Sequence, residues 1–133
     1  MDNKRYTIQE MSDQTGLSIH TLRYYEQIGL LDPIERLDNG HRRYKPTDLT
    51  RVDFLKRLRA TGMSIKEMQY YVELYRMGDS TLRERREILQ AHRQHIQVQV
   101  DDLLDTMDLI DGKIVRYLEQ ESTLENADKQ SIS

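Results

Sequence analysis

Along the first part of the chain, apolar residues stand three positions apart. Ile8 and Met11, then Ile19 and Leu22, then Leu49, Val52, Leu55 and Leu58 follow the spacing that lays a stripe along one side of a helix. Residues able to cap a helix precede each stripe. Thr7-Ile8-Gln9-Glu10 and Ser64-Ile65-Lys66-Glu67 have the form of capping boxes, Ser18 can cap the second helix and Thr47 the third. The pattern predicts helices over about 7–14, 18–28, 47–60 and 64–77, with breaks at Gly16, Gly29 and Gly62 and with Leu17 plugging the first turn.

Two short helices joined by a tight glycine-containing turn form a helix-turn-helix pattern, although any helical hairpin of a small bundle would read the same way. In the second helix, Ile19, Leu22 and Glu26 fall on one side. His20, Tyr24 and Gln27 fall on the other, with Thr21 and Arg23 at its edges. Asp38-Asn39-Gly40 contains Asn-Gly, which predicts a hairpin closed by a type I′ turn with positive φ at both central residues. Arg36, Arg42 and Arg43 flank it. Such a two-stranded wing could reach phosphates or a minor groove; the alternative is a solvated turn with ordinary surface arginines. Lys66, in the first turn of the fourth helix, could join the free backbone N–H groups there in gripping a phosphate, or be one more surface lysine.

After Met77-Gly78-Asp79 the period changes. Leu82, Leu89, Ile96, Leu103, Ile110 and Tyr117 recur every seven residues, and Val100, Met107 and Ile114 repeat with the same period four places after Ile96, Leu103 and Ile110. This is a heptad seam, strongest over about 96–117, on a helix opened by the capping box Thr81-Leu82-Arg83-Glu84. A helix from 81 to 120 would be roughly 60 Å long. It predicts pairing with a second copy; the alternative is folding back onto 47–77. Gly112, costly inside a helix, could mark a bend or a break, although the period running through Ile110, Ile114 and Tyr117 argues against a full stop; residues 122–133, polar and aperiodic, read as a frayed tail. The domains expected are 1–77, 78–120 for the dimerisation helix, and a flexible 121–133.

Charge divides the chain in the same way. Residues 1–66 carry 12 Lys and Arg against 9 Asp and Glu, whereas residues 67–133 carry 8 against 14. A basic half suits an anionic partner, nucleic acid above all. Mean hydropathy is −0.80. No apolar run approaches membrane-spanning length and the first residues lack a secretory h-region, so the expectation is a cytoplasmic protein without membrane association. Cysteine is absent, which excludes disulfides, thiolate metal sites and cysteine catalysis. Without a nucleophile–base constellation or a metal cluster, no enzyme and no cofactor are expected.

Together Ser18-Ile19-His20-Thr21-Leu22-Arg23-Tyr24-Tyr25-Glu26, Gly29-Leu30-Leu31, Asn39-Gly40-His41-Arg42-Arg43-Tyr44 and Leu58-Arg59-Ala60-Thr61-Gly62-Met63-Ser64-Ile65 resemble, in order, the MerR family of bacterial transcription regulators. The resemblance covers about residues 4–77. The following coil is similar to the family's antiparallel dimerisation helix, and 78–114 to its aldehyde- and electrophile-stress branch. The resemblance implies a mainly α fold, a winged helix-turn-helix followed by that helix. It also implies a homodimer on a palindromic promoter operator, whose overlong spacer it distorts for RNA polymerase. By position, Arg23, Tyr24 and Tyr25 would hold phosphates and His20 and Thr21 would face base edges. Arg36, His41, Arg42, Arg43 and Tyr44 would form the first wing, and Lys66 would belong to the second. Thr7 and Ser18, the caps of the first two helices, complete the DNA-facing set.

One departure removes a sensing route. The electrophile-responsive branch usually carries a cysteine after Phe-x-Lys of the third helix, and here Phe54-Leu55-Lys56 is followed by Arg57. The loop cysteines of the metal-sensing branches are also missing, and little chain is left after 120 for a drug-binding domain. His92 and His95 suggest a solvated face more than a metal site. Tyr70, Tyr71 and Tyr75, with Met63, Met68 and Met77, could line an aromatic pocket or simply be packing. A rival to the regulator is a coiled-coil adaptor that keeps the helix-turn-helix as a scaffold.

Overall fold

The computed structural model describes residues 4–132. It is mainly helical, and its chain falls into two compact units, the first ending at Gln90 and the second beginning at Ala91. The first unit contains α1 (Ile8–Thr15), α2 (Ile19–Gln27), a hairpin of β1 (Glu35–Arg36) and β2 (Arg42–Arg43), α3 (Pro46–Ala60), α4 (Ile65–Met77) and the opening turns of α5 (Leu82–Ile132).

Local chemistry sets the helix ends. The Thr7 hydroxyl accepts from the Glu10 N–H at 3.0 Å and the Glu10 carboxylate accepts from the Thr7 N–H at 3.0 Å, so the expected capping box forms. The Thr7 N–H, and after it the Thr7 hydroxyl, hold the Glu10 carboxyl below its ordinary pKa. Gly16 closes α1 at φ 78°, the left-handed region open to glycine. Ser18 accepts from Thr21 N–H and Ser64 from Glu67 N–H, each at 3.1 Å.

Two expected caps are replaced. Thr47 does not open α3. The helix starts at Pro46, whose missing N–H costs nothing at that position, and the Asp48 carboxylate accepts from Lys45 N–H at 2.8 Å. Nor does Thr81 form a capping box with Glu84. Its hydroxyl donates to the carbonyls of Leu74 and Gly78, and the Glu84 carboxylate accepts from the Tyr70 hydroxyl at 3.2 Å. Buried on a 3₁₀ turn, Thr81 satisfies the end of α4 rather than the start of α5.

The hairpin turn also differs from expectation. No described non-glycine residue has positive φ, so Asn39 cannot belong to a type I′ turn. Instead Gly40 N–H donates to Leu37 O at 2.8 Å and Leu37 N–H to His41 O at 2.9 Å, with Gly40 alone left-handed at φ 84°. This is the three-residue loop built on an ordinary turn followed by a left-handed glycine. The Asn39 side-chain oxygen accepts from His41 N–H at 3.1 Å, a bond that holds the loop without Asn39 itself turning left-handed.

The core of the first unit is contributed by every helix. Met11, Leu22, Leu30, Val52, Leu55, Met63 and Met68 are buried, with Ile8, Leu17, Ile88 and Leu89 packed against them. Ile88 and Leu89 join this core within the first unit, which ends at Gln90. Leu89, expected on the seam from its heptad position, is partly buried against this core. Lys56 ties α3 to α1. Its ammonium donates to the carbonyl of Thr15 at the end of α1. Asp32 accepts from Arg51 of α3 at 3.3 Å and Arg76 of α4 at 3.1 Å, and Gln69 of α4 donates to Ile28 O at 2.9 Å, which anchors the end of α2.

The second unit is helix alone. α5 continues through Gly112 to Ile132, so neither a break at that glycine nor an aperiodic tail interrupts it. After Gly112 there is no proline or glycine to stop it, and Glu, Leu, Ala, Lys and Gln carry good helix propensity. Among the described residues no helix is long and apolar enough to cross a membrane.

Candidate nucleic-acid interface

Three segments of the first unit converge on one face. The start of α1, the outer side of α2 and the hairpin line two adjoining concavities. One, of about 540 Å³, is walled by His20, Arg23, Tyr24, Gln27, Arg36 and Arg42, with Glu26 beneath. The other is lined by Thr7, Gln9, Gly40, His41 and Arg43, and shares Arg23 and Arg42 with the first. Arg23 and Arg42 thus join the helix and the wing into one continuous, donor-rich surface.

The hairpin is tied down from three sides. Tyr6 and Tyr44 exchange backbone hydrogen bonds of 2.8 Å, which adds the chain before α1 to the ladder. Arg5 Nε donates to Glu35 at 2.9 Å. Arg42 Nε donates to Glu26 of α2 at 2.7 Å, with both side chains mostly buried. The Arg43 and Arg36 guanidiniums touch backbone carbonyls near the wing, at Arg42 O and Gly40 O.

His20, Arg23 and Tyr24 are exposed along α2, and Thr21 is half-buried beside them. Arg36 and His41 are exposed on the wing, Arg42 and Arg43 half-buried. Lys66 is exposed in the first turn of α4. Thr7 and Ser18 have hydroxyl oxygens already taken by their helix caps, and Ser18 also donates to Thr21 Oγ1 at 2.9 Å.

Two expected contact residues are elsewhere. Tyr25 is 4% exposed and Tyr44 fully buried, so both belong to the core behind this surface. Tyr25 stands three residues after Leu22 on a 3.6-residue helix and shares its inward side. Tyr44 follows the last strand residue and enters the core next to Tyr6. Burial raises both phenols. Tyr44 is pushed up to about 12, with the Glu26 carboxylate adding to the effect, and its hydroxyl meets no hydrogen-bond partner among the described residues.

The residues considered for sensing separate. Tyr71 and Tyr75 line an apolar groove of about 420 Å³ with Phe54, Leu55 and Val72, between α3 and α4. Tyr70 instead donates to Glu84, Met63 and Met68 are core, and Met77 is exposed. The ring of Tyr75 lies 4.6 Å from the Arg51 guanidinium and 5.2 Å from that of Arg85. The His92 and His95 rings are 6.1 Å apart, and no group of three metal-ligating side chains occurs among the described residues.

The residue that sequence reasoning passed over is Glu26. Its place on the inner side of α2 with Ile19 and Leu22 was the available signal, because a half-buried carboxylate requires a cationic partner.

A helix-turn-helix whose second helix is exposed beside an arginine-bearing wing defines the class of helix-turn-helix DNA-binding proteins. Comparison with known proteins narrows the class. A family profile described as "MerR HTH family regulatory protein" matches residues 6–74, and one described as "MerR, DNA binding" matches residues 49–113. An uncharacterized HTH-type transcriptional regulator of Haemophilus influenzae is 32% identical over 112 residues, 84% of this chain and 83% of the relative. The HTH-type transcriptional regulator AdhR of Bacillus subtilis is 39% identical over 89 residues, 67% and 64% of the two chains. Among solved structures, HiNmlR, described as a MerR family regulator lacking the sensor domain and bound to promoter DNA, superposes with TM-score 0.79. It has 30% identity and covers 90% of this chain and 94% of its own. A putative MerR family regulator from Listeria monocytogenes gives TM-score 0.83 at 32% identity, covering 94% and 98%. The chain belongs to the MerR family of transcriptional regulators, and it is a DNA-binding regulator.

Proposed function

We propose that the chain acts as a homodimer that reads a palindromic promoter operator with its two copies of α2, and that it distorts the DNA between the half-sites so that RNA polymerase can engage. His20 and Thr21 face base edges. Arg23, Tyr24, Arg36, His41, Arg42 and Arg43 hold phosphates on either side of them, and Lys66 holds a phosphate beyond. The observation that carries this reading is the meeting of α2 and wing cations at Arg23 and Arg42 in one surface. Phosphate contacts position such a surface, and the groups on the helix between them carry sequence information.

Dimerisation rests on α5. Val100, Leu103, Met107, Ile110, Ile114 and Tyr117, all on the expected seam, are 40–65% exposed in the single chain. A contiguous apolar stripe of that kind is the mark of a protein interface. Two such helices antiparallel place two recognition helices about a twofold axis, as a palindrome requires. Ile96 is half-buried at the start of the stripe, and Leu82 is exposed well before it.

The decisive experiment titrates the protein onto duplex DNA from its own upstream region and onto a scrambled duplex, at several salt concentrations. Selective binding that weakens steeply with salt is expected. Arg23→Ala should lower affinity for both duplexes by about tenfold or more and reduce the salt slope by about one, with the helical circular dichroism unchanged. Equal weak binding to both duplexes, indifferent to Arg23→Ala, would favour the adaptor reading instead.

A further inference from the structure

The wing sets two like charges face to face. Arg36 of β1 is the register partner of Arg42 of β2. Like charges directly across an antiparallel pair destabilise it, and a ribbon of two-residue strands has few other bonds to resist. One carboxylate answers both. Glu26 Oε2 accepts from Arg42 Nε at 2.7 Å, and Glu26 Oε1 stands 3.8 Å from a terminal nitrogen of Arg36. The Glu26 side chain is 19% exposed and that of Arg42 23%, so this pair is screened from bulk water more than an ordinary surface pair.

Glu26 lies one turn after Leu22 on α2, next in line to the residues facing the concavity, and it is the one carboxylate among that concavity's lining residues. There it is electrostatically costly. A negative charge behind a phosphate-binding surface weakens the grip on any DNA, whatever its sequence. What it supplies in return is geometry. It joins the last turn of α2 to both strands of the hairpin, and so sets the distance between groups on the helix and groups on the wing.

We propose that Glu26 is a positioning residue for DNA specificity. It latches the wing to the recognition helix through Arg42 and Arg36, giving up affinity for arbitrary DNA in exchange for a fixed spacing between base-edge and phosphate contacts. The latch rests on the reading above that α2 and the wing touch the same duplex. Arg42 is thereby held with its Nε turned to Glu26, leaving the terminal nitrogens of its fork for a phosphate.

The test uses the full chain and two duplexes: an operator selected by the wild-type protein from random sequence, and a scrambled duplex of the same length. In Glu26→Gln the affinity for scrambled DNA should stay level or rise a few-fold, because a repulsive charge is gone. Affinity for the operator should fall about tenfold, because the wing is no longer held in register. Arg42→Lys keeps the charge but loses the planar fork. It should reproduce the loss of selectivity with the salt slope unchanged, and the double variant should lose little more than either single one. Amide exchange at Leu37 and Gly40, whose N–H groups close the wing loop, should quicken in Glu26→Gln while exchange in α3 holds steady.

An unchanged operator-to-scrambled ratio in Glu26→Gln would overturn the latch. So would a parallel loss on both duplexes accompanied by a lower melting temperature, since that is the mark of a residue serving stability alone. Wild-type protein that binds both duplexes alike would overturn the DNA-reading surface first, and the latch with it.

Discussion

The first ninety residues and the rest of the chain treat their apolar side chains in opposite ways. In the first unit Met11, Leu22, Leu30, Val52, Leu55 and Met68 are within 1% of full burial. In the second, Leu103 is 65% exposed, Met107 57% and Leu118 58%, and among the described residues no apolar side chain there joins a core. Both units were assigned helices from apolar periodicity. The first holds several short elements whose stripes face one another. The second holds one helix, whose stripe has no second element of its own unit to face. Periodicity therefore announces that a surface must be covered, and topology decides whether the same chain can cover it.

The contrast is sharpest under a charge. Ile110→Asp places a carboxylate in the middle of the exposed seam. It should convert the dimer to monomer in sedimentation and weaken operator binding about a hundredfold, while leaving the fold of the first unit intact. A dimer that persists would remove the seam from the interface.

Truncation should next separate buried from exposed leucines. Leu55→Ala, at 1% exposure, should cost about 2–5 kcal/mol in denaturant unfolding. Leu109→Ala, 74% exposed and off the heptad positions, should cost about 0.5 kcal/mol or less, whether or not the helix is paired. Equal losses would mean that the interface wraps further round α5 than the seam.

Smaller effects test finer points. Tyr44 holds a buried hydroxyl without a partner, so Tyr44→Phe should be neutral or up to about 1 kcal/mol more stable. The sign of its pH dependence follows from burial. The folded state raises this phenol to about 12 from an ordinary value near 10. The stability it contributes is complete below the ordinary value and is lost as pH rises toward 12. Alkaline unfolding of Tyr44→Phe should lack that part of the loss.

Gly112→Ala is expected to have a modest effect of opposite sense to the truncations. A Cβ there meets nothing within 4 Å, and at about 100° per residue the position lies away from Met107 and Ile114. The variant should stabilise the helix by about 1 kcal/mol without changing the dimer constant, measured by thermal melts at several protein concentrations. A weakened dimer would place Gly112 at a close helix–helix approach.

Much of the candidate site was legible. The helix-turn-helix, the wing position, the fourth helix and the heptad seam follow from spacings of three, four and seven and from a few capping residues. Residues that are neighbours in the chain do not share one environment. Arg23, Tyr24 and Tyr25 are consecutive, yet a helix turns Tyr25 into the core behind Leu22 while Arg23 and Tyr24 stay outside. Asn-Gly indicated a hairpin correctly and its turn type incorrectly, because the Asn39 side chain hydrogen-bonds His41 N–H without needing a left-handed backbone. Leu89 fits the heptad and also packs on the nearer core, a contact its period does not announce. The Lys56 ammonium is spent on the last carbonyl of α1, a contact between residues 41 positions apart that no local spacing announces.

By itself the sequence determined what depends on local order: where helices begin, which side of each is apolar, where glycine must end one, and that the long helix carries an unsatisfied stripe. These follow from backbone geometry and from contacts within four residues. Only the tertiary structure decided which polar groups face outward together. Glu26, Arg36 and Arg42 are far apart in the chain and meet because α2 and the hairpin pack on one core, and Tyr44 lies buried beneath them for the same reason. Burial and charge pairing are set by what arrives from elsewhere in the chain, and a period read along one segment carries no record of that neighbour.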